Sequence, residues 1–160
     1  YGRPYGPPAL ASRLDESLEI IDAFWSGDPV TYDGEHFHLE DASVNPTPVQ
    51  EPRVPILSGA WWPNKGPFQR GARCDGIMPY YASLTGEDTG PHGEEPTGDP
   101  VQEVRESLEY YQDIADDPGE VVLPEIPDTD VPLDEFADLG ATWQLTNGTD
   151  PDIVRDGPPG

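Results

Sequence analysis

From residue 54 onward the chain repeats one pattern, a short apolar run followed by an amphipathic stretch opened by a capping residue. Val54-Pro55-Ile56-Leu57 has the make-up of a buried strand, and Asn64 can cap a helix through about Arg73. Gly76-Ile77-Met78 is a second strand-like piece. Asp99-Pro100 then opens a helix with Val101, Val104, Leu108, Tyr111 and Ala115 on one face, proline at the first helical position suiting it. Glu120–Leu123 is a third run. Pro132 opens a short helix with Leu133, Phe136 and Leu139 inward and Gly140 as its stop, and Ala141–Leu145 is a fourth run. Asp150-Pro151 begins one more helix. Strands joined by helical crossovers run parallel, so these residues predict an α/β fold with about four parallel strands and flanking helices. Half of an eight-stranded barrel and a small open sheet both satisfy the order, and periodicity leaves the two open. A half barrel would carry two strand edges without neighbours.

The residues before this series read differently. Ser12, with Asp15 three positions on, has the form of a capping box, and Leu14, Leu18, Ile21 and Trp25 share one stripe of a helix over about 12 to 26 stopped by Gly27. The alternation around Asp33-Gly34 predicts a small β-hairpin, Val30–Tyr32 against His36–Leu39. Residues 43–53 hold three prolines and read as an extended connection. Residues 79–98 read as a flexible loop, polar and rich in glycine.

At 160 residues the chain suits one domain, 1–160. Its 21 prolines and 17 glycines lean toward loops or disorder, but four tryptophans, seven tyrosines and the periodic segments favour a folded domain with long loops. Thirty-two acidic against eight basic residues give a net charge of -24. That sign is the opposite of what phosphate neutralisation needs, so a nucleic-acid partner is nearly excluded and an anionic membrane surface disfavoured. Acids spread along the whole chain suggest the solvated acidic shell of a salt-adapted protein, with a mesophilic acidic protein as the alternative. A single cysteine, Cys74, excludes an internal disulfide framework and a cysteine-rich zinc site. No run approaches a membrane span and no signal-like start is present, so a cytoplasmic location is expected. The first residue is tyrosine, and an upstream segment is expected.

Four of the eight cations, Arg53, Lys65, Arg70 and Arg73, fall within 22 residues that contain no acid. This basic island also holds Gly59, Trp61 and Trp62. Cations near a helix start would suit a phosphate or carboxylate, and the tryptophans could wall a planar ring. Pairing of the cations with acids across the fold, and simple packing of the tryptophans, explains the same residues. His36 and His38 would share a strand face, but no third ligand is marked out, so hairpin histidines are expected and no metal. Cys74 reads as a small core hydrophobe rather than a nucleophile. No phosphate loop, G-x-G-x-x-G or G-x-S-x-G occurs, and no carboxylate pair stands out for acid–base work.

The segments Arg13–Val30 (R-L-D-E-S-L-E-I-I-D-A-F-W-S-G-D-P-V), Tyr32–His38 (Y-D-G-E-H-F-H) and Asn45–Ile56 resemble the luciferase-like monooxygenase superfamily. Trp62-Pro63-Asn64, then R-G-A-R-C-D-G (Arg70–Gly76) and G-A-T-W-Q (Gly140–Gln144), resemble linked motifs of one subgroup in the same order. The resemblance runs from about residue 10 to 146 and corresponds to the later half of a family barrel. It implies a partial (β/α)8 TIM barrel using FMN or a reduced deazaflavin (coenzyme F-420) in hydride transfer or monooxygenation of a small organic substrate. In that frame Leu57–Asn64 and the stretches 79–98, 124–131 and 146–151 lie on the catalytic face. Gly59, Trp61, Trp62, Arg70 and Arg73 are the expected cofactor or substrate contacts, and no catalytic residue is assigned. The chain departs from the subgroup in Ala60, whose methyl could crowd a cofactor, in Cys74 and Gln144 where tryptophans are common, and in Pro124–Asp128, which lacks the family's phosphate loop. The other readings are a non-catalytic half-barrel remnant that self-associates or pairs with a companion chain over its open edges, and an acidic solvating protein without a core.

Overall fold

A computed structural model describes residues 7–85, 99–126 and 133–145. The chain forms two compact units, Tyr1–Val54 and Pro55–Gly160.

The first unit contains helix α1 (Pro7–Trp25) and an antiparallel hairpin, β1 (Val30–Asp33) with β2 (His38–Ala42). The helix begins a turn earlier than expected. Proline is at ease in a first turn, so Pro7 and Pro8 start it. Ser12 is therefore no cap. It lies inside the helix, bonding the Ala9 carbonyl at 3.3 Å and meeting His36 Nε2 at 2.5 Å. Ile20 is the buried residue of the helix, while Leu14 and Ile21 of the expected stripe stay exposed. The hairpin forms where expected, but Asp33 pairs with His38, so Gly34–Phe37 make a four-residue loop. His36 lies in that loop and His38 on β2, and the two do not share a strand face.

One carboxylate of the helix gathers three backbone amides of the loop. Glu16 accepts the backbone N–H groups of Glu35 (2.8 Å), His36 (3.0 Å) and Phe37 (3.1 Å). Desolvation pushes the Glu16 pKa up, but the amides of His36, Glu35 and Phe37, aided by the His36 ring, outweigh it and the net shift is downward. A carboxylate more acidic in the folded state stabilises it above the unfolded value and stops doing so as pH falls through the folded one. Acidification below the ordinary glutamate value of 4.5 should thus release the hairpin loop. Amide shifts of residues 35–37 followed by NMR should show that step in the wild type, and Glu16→Gln should lack it.

The second unit is the parallel sheet. Its strands are β3 (Leu57–Trp61), β4 (Gly76–Tyr80), β5 (Glu120–Leu123) and β6 (Trp143–Gln144), in the order β3-β4-β5-β6, all parallel. The connecting helices are α2 (Lys65–Gly71), α3 (Ala82–Thr85), α4 (Pro100–Ile114) and α5 (Leu133–Asp138). Asn64 caps α2 and Asp99 caps α4, as their spacing predicts. No closed barrel is present among the described residues.

Several boundaries differ from expectation: α2 ends at Gly71 rather than about Arg73, and β6 is confined to Trp143–Gln144 of the expected Ala141–Leu145. Strand β3 starts at Leu57 rather than Val54, because Asp75 takes the backbone of Ile56, accepting its N–H on Oδ2 (2.7 Å) and donating its own to the Ile56 carbonyl (3.0 Å). Strand β4 runs through Pro79 to Tyr80, and Ala82–Thr85 is helical, so the loop expected over 79–98 starts later. Proline is tolerated there because β5 pairs with β4 only at Gly76 and Ile77, leaving no ladder on that side further along. Residues 86–98, the expected opening at Pro132 and the helix expected from Asp150 lie outside the described residues.

Alternation along the strands separates two faces. Ala60, Ile77, Val121 and Leu123 point to the helix side and pack with Phe68, Val104, Leu108, Tyr111 and Phe136 into one core. The helix α4 stripe read from sequence is this core's wall, with Val104, Leu108 and Tyr111 buried. The opposite face carries Leu57, Gly59 and Trp61, then Met78 and Tyr80, then Val122 and Trp143, none of them buried.

Candidate functional site

In open α/β sheets and barrels, ligands meet the C-terminal ends of the strands. At that end, Trp61 of β3 and Tyr80 of β4 stand opposite each other in register on the face away from the helices. Their rings stack with centroids 5.8 Å apart at 26°. Gly59 precedes Trp61 by two residues on the same face, with Met78 opposite it. The two strands stay laddered past their ends, the Trp62 N–H donating to the Tyr80 carbonyl at 2.9 Å. Further along the sheet, Trp143 is half exposed, and its indole N–H donates to Glu120 Oε2 at 2.7 Å. The result is an apolar, aromatic surface four strands wide.

Of the five residues expected as contacts, the fold brings Gly59 and Trp61 together on this face and places the other three elsewhere. Trp62 turns the other way. It is 6% exposed, edge-on to Phe68 at 5.5 Å and beside Tyr110. Arg70 ends α2 and Arg73 follows it, which sets both at the N-terminal edge of the sheet, where Arg73 lines an open cleft of about 540 Å³ with Cys74, Asp75, Asp116 and Glu120. Cys74 is half-buried there rather than a core residue. Leu57 also belongs to the N-terminal edge, so only Trp61–Asn64 of the expected loop stretch lies at the C-terminal end.

The cations of the basic island have separate surroundings. Arg53 belongs to the first unit and pairs with Asp22 at 2.5 Å. Lys65 lays its ammonium over Trp62 at 3.4 Å and Tyr110 at 3.8 Å, on the helix side. Desolvation lowers the lysine's pKa, while the charge of Glu106 opposes that shift. Lys65 therefore clamps α2 to α4. Replacing it with methionine should lower stability by about 1 kcal/mol, read from denaturant midpoints, since only the cation–π component is lost.

Ala60 settles one expectation from the motifs. It is fully buried on the helix side, so its methyl points away from the open face and crowds nothing there. A methyl at Gly59 would meet only the Tyr80 ring, at an ordinary 3.7 Å. The D-G of the R-G-A-R-C-D-G motif is structural. Asp75 holds Ile56, and Gly76 lies against β5.

Sequence reasoning missed Tyr80, Met78 and Val122. Parity along β4 would have found two of them, since Met78 and Tyr80 share a face on any strand that continues through Pro79. No helix among the described residues is long and apolar enough to cross a membrane.

The sequence model of the luciferase-like monooxygenases matches residues 3–90. An F420-dependent glucose-6-phosphate dehydrogenase of Microbacterium testaceum (strain StLB037) is 39% identical over 56 residues, 35% of this chain and 16% of that protein. Another, from Kineococcus radiotolerans, is 40% identical over 52 residues, 32% of this chain and 15% of that protein. Among solved structures, the monooxygenase RslO1 from Streptomyces bottropensis superposes with a TM-score of 0.53 at 18% identity, covering 74% of this chain and 33% of that one. The chain thus spans about a sixth of the length of these curated relatives and a third of the solved neighbour.

Proposed function

The chain belongs to the luciferase-like monooxygenase family, and on that premise we propose that its open sheet face holds the ring of a flavin or deazaflavin in an oxidoreductase acting on a small organic substrate. The observation that carries this reading is the stacked Trp61–Tyr80 pair at the C-terminal strand ends, with the side-chain-free Gly59 beside it. A planar tricyclic ring is complementary to such a surface, because aromatic pairs favour offset stacking and a glycine lets the ring approach the backbone. The F420 dependence of the two similar dehydrogenases supports a deazaflavin, and the family as a whole supports either group.

When bound, the cofactor supplies the hydride or oxygen chemistry. Trp61 and Tyr80 would hold one side of the ring, while Met78 and Val122 keep water from its underside. Arg70 and Arg73, kept as proposed contacts, would serve only a part of the ligand that reaches the N-terminal edge. Trp61→Ala should weaken FMN and deazaflavin binding at least about tenfold, a loss of roughly 1.4 kcal/mol for one removed ring contact. Its unfolding midpoint should stay within a few degrees of the wild type, as the ring lies outside the core. Equal affinity in wild type and variant, measured by fluorescence titration in high salt, would reject the platform.

A second reading, a partner surface, draws on the exposure of Trp143 (51%), Leu145 (46%) and Leu57 (39%). In it, a second copy or a companion chain covers the sheet edges. A monomer by size-exclusion chromatography with multi-angle scattering in high salt, with no companion co-eluting, would dismiss it.

A further inference from the structure

We propose that helix α4 fixes the Trp61–Tyr80 ring pair through two tethers, a part-buried one from Ser83 to Glu103 and a buried one from Tyr81 to Ser107, which makes Glu103 and Ser107 positioning residues of the open face. The proposal rests on the ring-binding reading above. Tyr81 is 1% exposed, Glu103 2% and Ser107 fully buried, so three polar groups lie within an otherwise apolar layer. The direction of each bond follows from its protons. The Ser107 hydroxyl donates to the Val104 carbonyl at 2.8 Å, so the 2.8 Å contact between Tyr81 and Ser107 has the tyrosine as donor. The Ser83 hydroxyl donates to Glu103 Oε2.

Withdrawing a carboxylate from water is unfavourable, and an apolar side chain would serve cohesion at least as well. What the carboxylate adds is direction. Glu103 and Ser107 are one helical turn apart on the same face of α4. They grip the segment leaving β4 at Tyr81 and Ser83. Tyr80 is joined to Tyr81 by a planar peptide, so Tyr81 held on the helix side sets how Tyr80 stands on the other. The Tyr80 carbonyl takes the Trp62 N–H at 2.9 Å, which extends the constraint to the strand bearing Trp61. Both ring bearers therefore depend on α4.

Ser83→Ala and Tyr81→Phe each cut one tether with little change in volume. Hydrogen exchange in each should quicken at the Trp62 amide by roughly tenfold. The Glu120 amide, bonded to the Asp75 carbonyl at 2.8 Å at the far end of the sheet, should change less than about twofold. The same variants should bind FMN about fivefold more weakly, and Ser83→Thr, which keeps the hydroxyl, should restore both readings. Equal acceleration at Trp62 and Glu120 would mean general loss of stability and would overturn the proposal, as would no change at Trp62. If wild-type protein binds neither FMN nor a deazaflavin, the ring-binding reading fails by itself, and the ratio of exchange rates still decides whether the tethers position the strand ends.

Discussion

Gly76→Ala should destabilise the sheet by about 3 kcal/mol or more, which at roughly 3 °C per kcal/mol for a chain of this size lowers the melting midpoint by about 10 °C. Two independent effects combine. Gly76 has φ +151°, where a side chain is strained, and a methyl built on it would stand 1.9 Å from the Glu120 carbonyl oxygen and 2.7 Å from its nitrogen. Those are backbone atoms of β5, so relief requires β4 and β5 to part at the two register pairs that join them. Gly119 faces the same junction from the other side, at φ +61° with the Asp75 carbonyl 2.2 Å from its virtual methyl. Calorimetry on Gly76→Ala in high salt gives the answer, and a midpoint within 2 °C of the wild type, roughly half a kcal/mol, would mean the junction is looser than described.

The strand–helix series was legible because its signals are local. Asn64 and Asp99 cap their helices through their own side chains, and Val104, Leu108 and Tyr111 recur at helical spacing whatever lies beyond them. Strand ends were less legible, because non-local partners set them. The start of β3 depends on Asp75, nineteen residues away, binding Ile56. The continuation of β4 through Pro79 depends on β5 having already left its side.

The site was half legible for a related reason. Adjacent residues of a strand face opposite ways, so Trp61 and Trp62, read together as walls for one ring, are divided between the open face and the core. Arg70 and Arg73 are near Trp61 in sequence, yet Arg70 lies in the last turn of the helix that leads back from the strand end, and Arg73 follows that helix. Only the register shows that Tyr80, nineteen residues on, is the true neighbour of Trp61.

Removal of salt should unfold the protein. With 32 acids and eight bases, at most eight carboxylates can find a cationic partner one to one, and the remaining 24 repel one another. At 1 M salt the Debye length is about 3 Å and that repulsion is screened; at 0.01 M it is about 30 Å and the repulsion persists. Folding gathers the charges closer, so the compact state bears the larger share of the repulsion. Circular dichroism should report folded protein in molar KCl and loss of the folded signal in dilute buffer. An unchanged spectrum and midpoint would favour an ordinary acidic protein.

Occupancy of the sheet face bearing Gly59, Trp61 and Tyr80 is readable in indole N–H signals. The four tryptophans include Trp61 on the open face and Trp62 in the core, adjacent in sequence but separated by the sheet. On titration with FMN or a deazaflavin in high salt, the Trp61 indole resonance should shift progressively and saturate while that of Trp62 stays in place. A saturable shift at Trp62 with Trp61 unmoved, or none at either, would mean that the open face does not hold the ring.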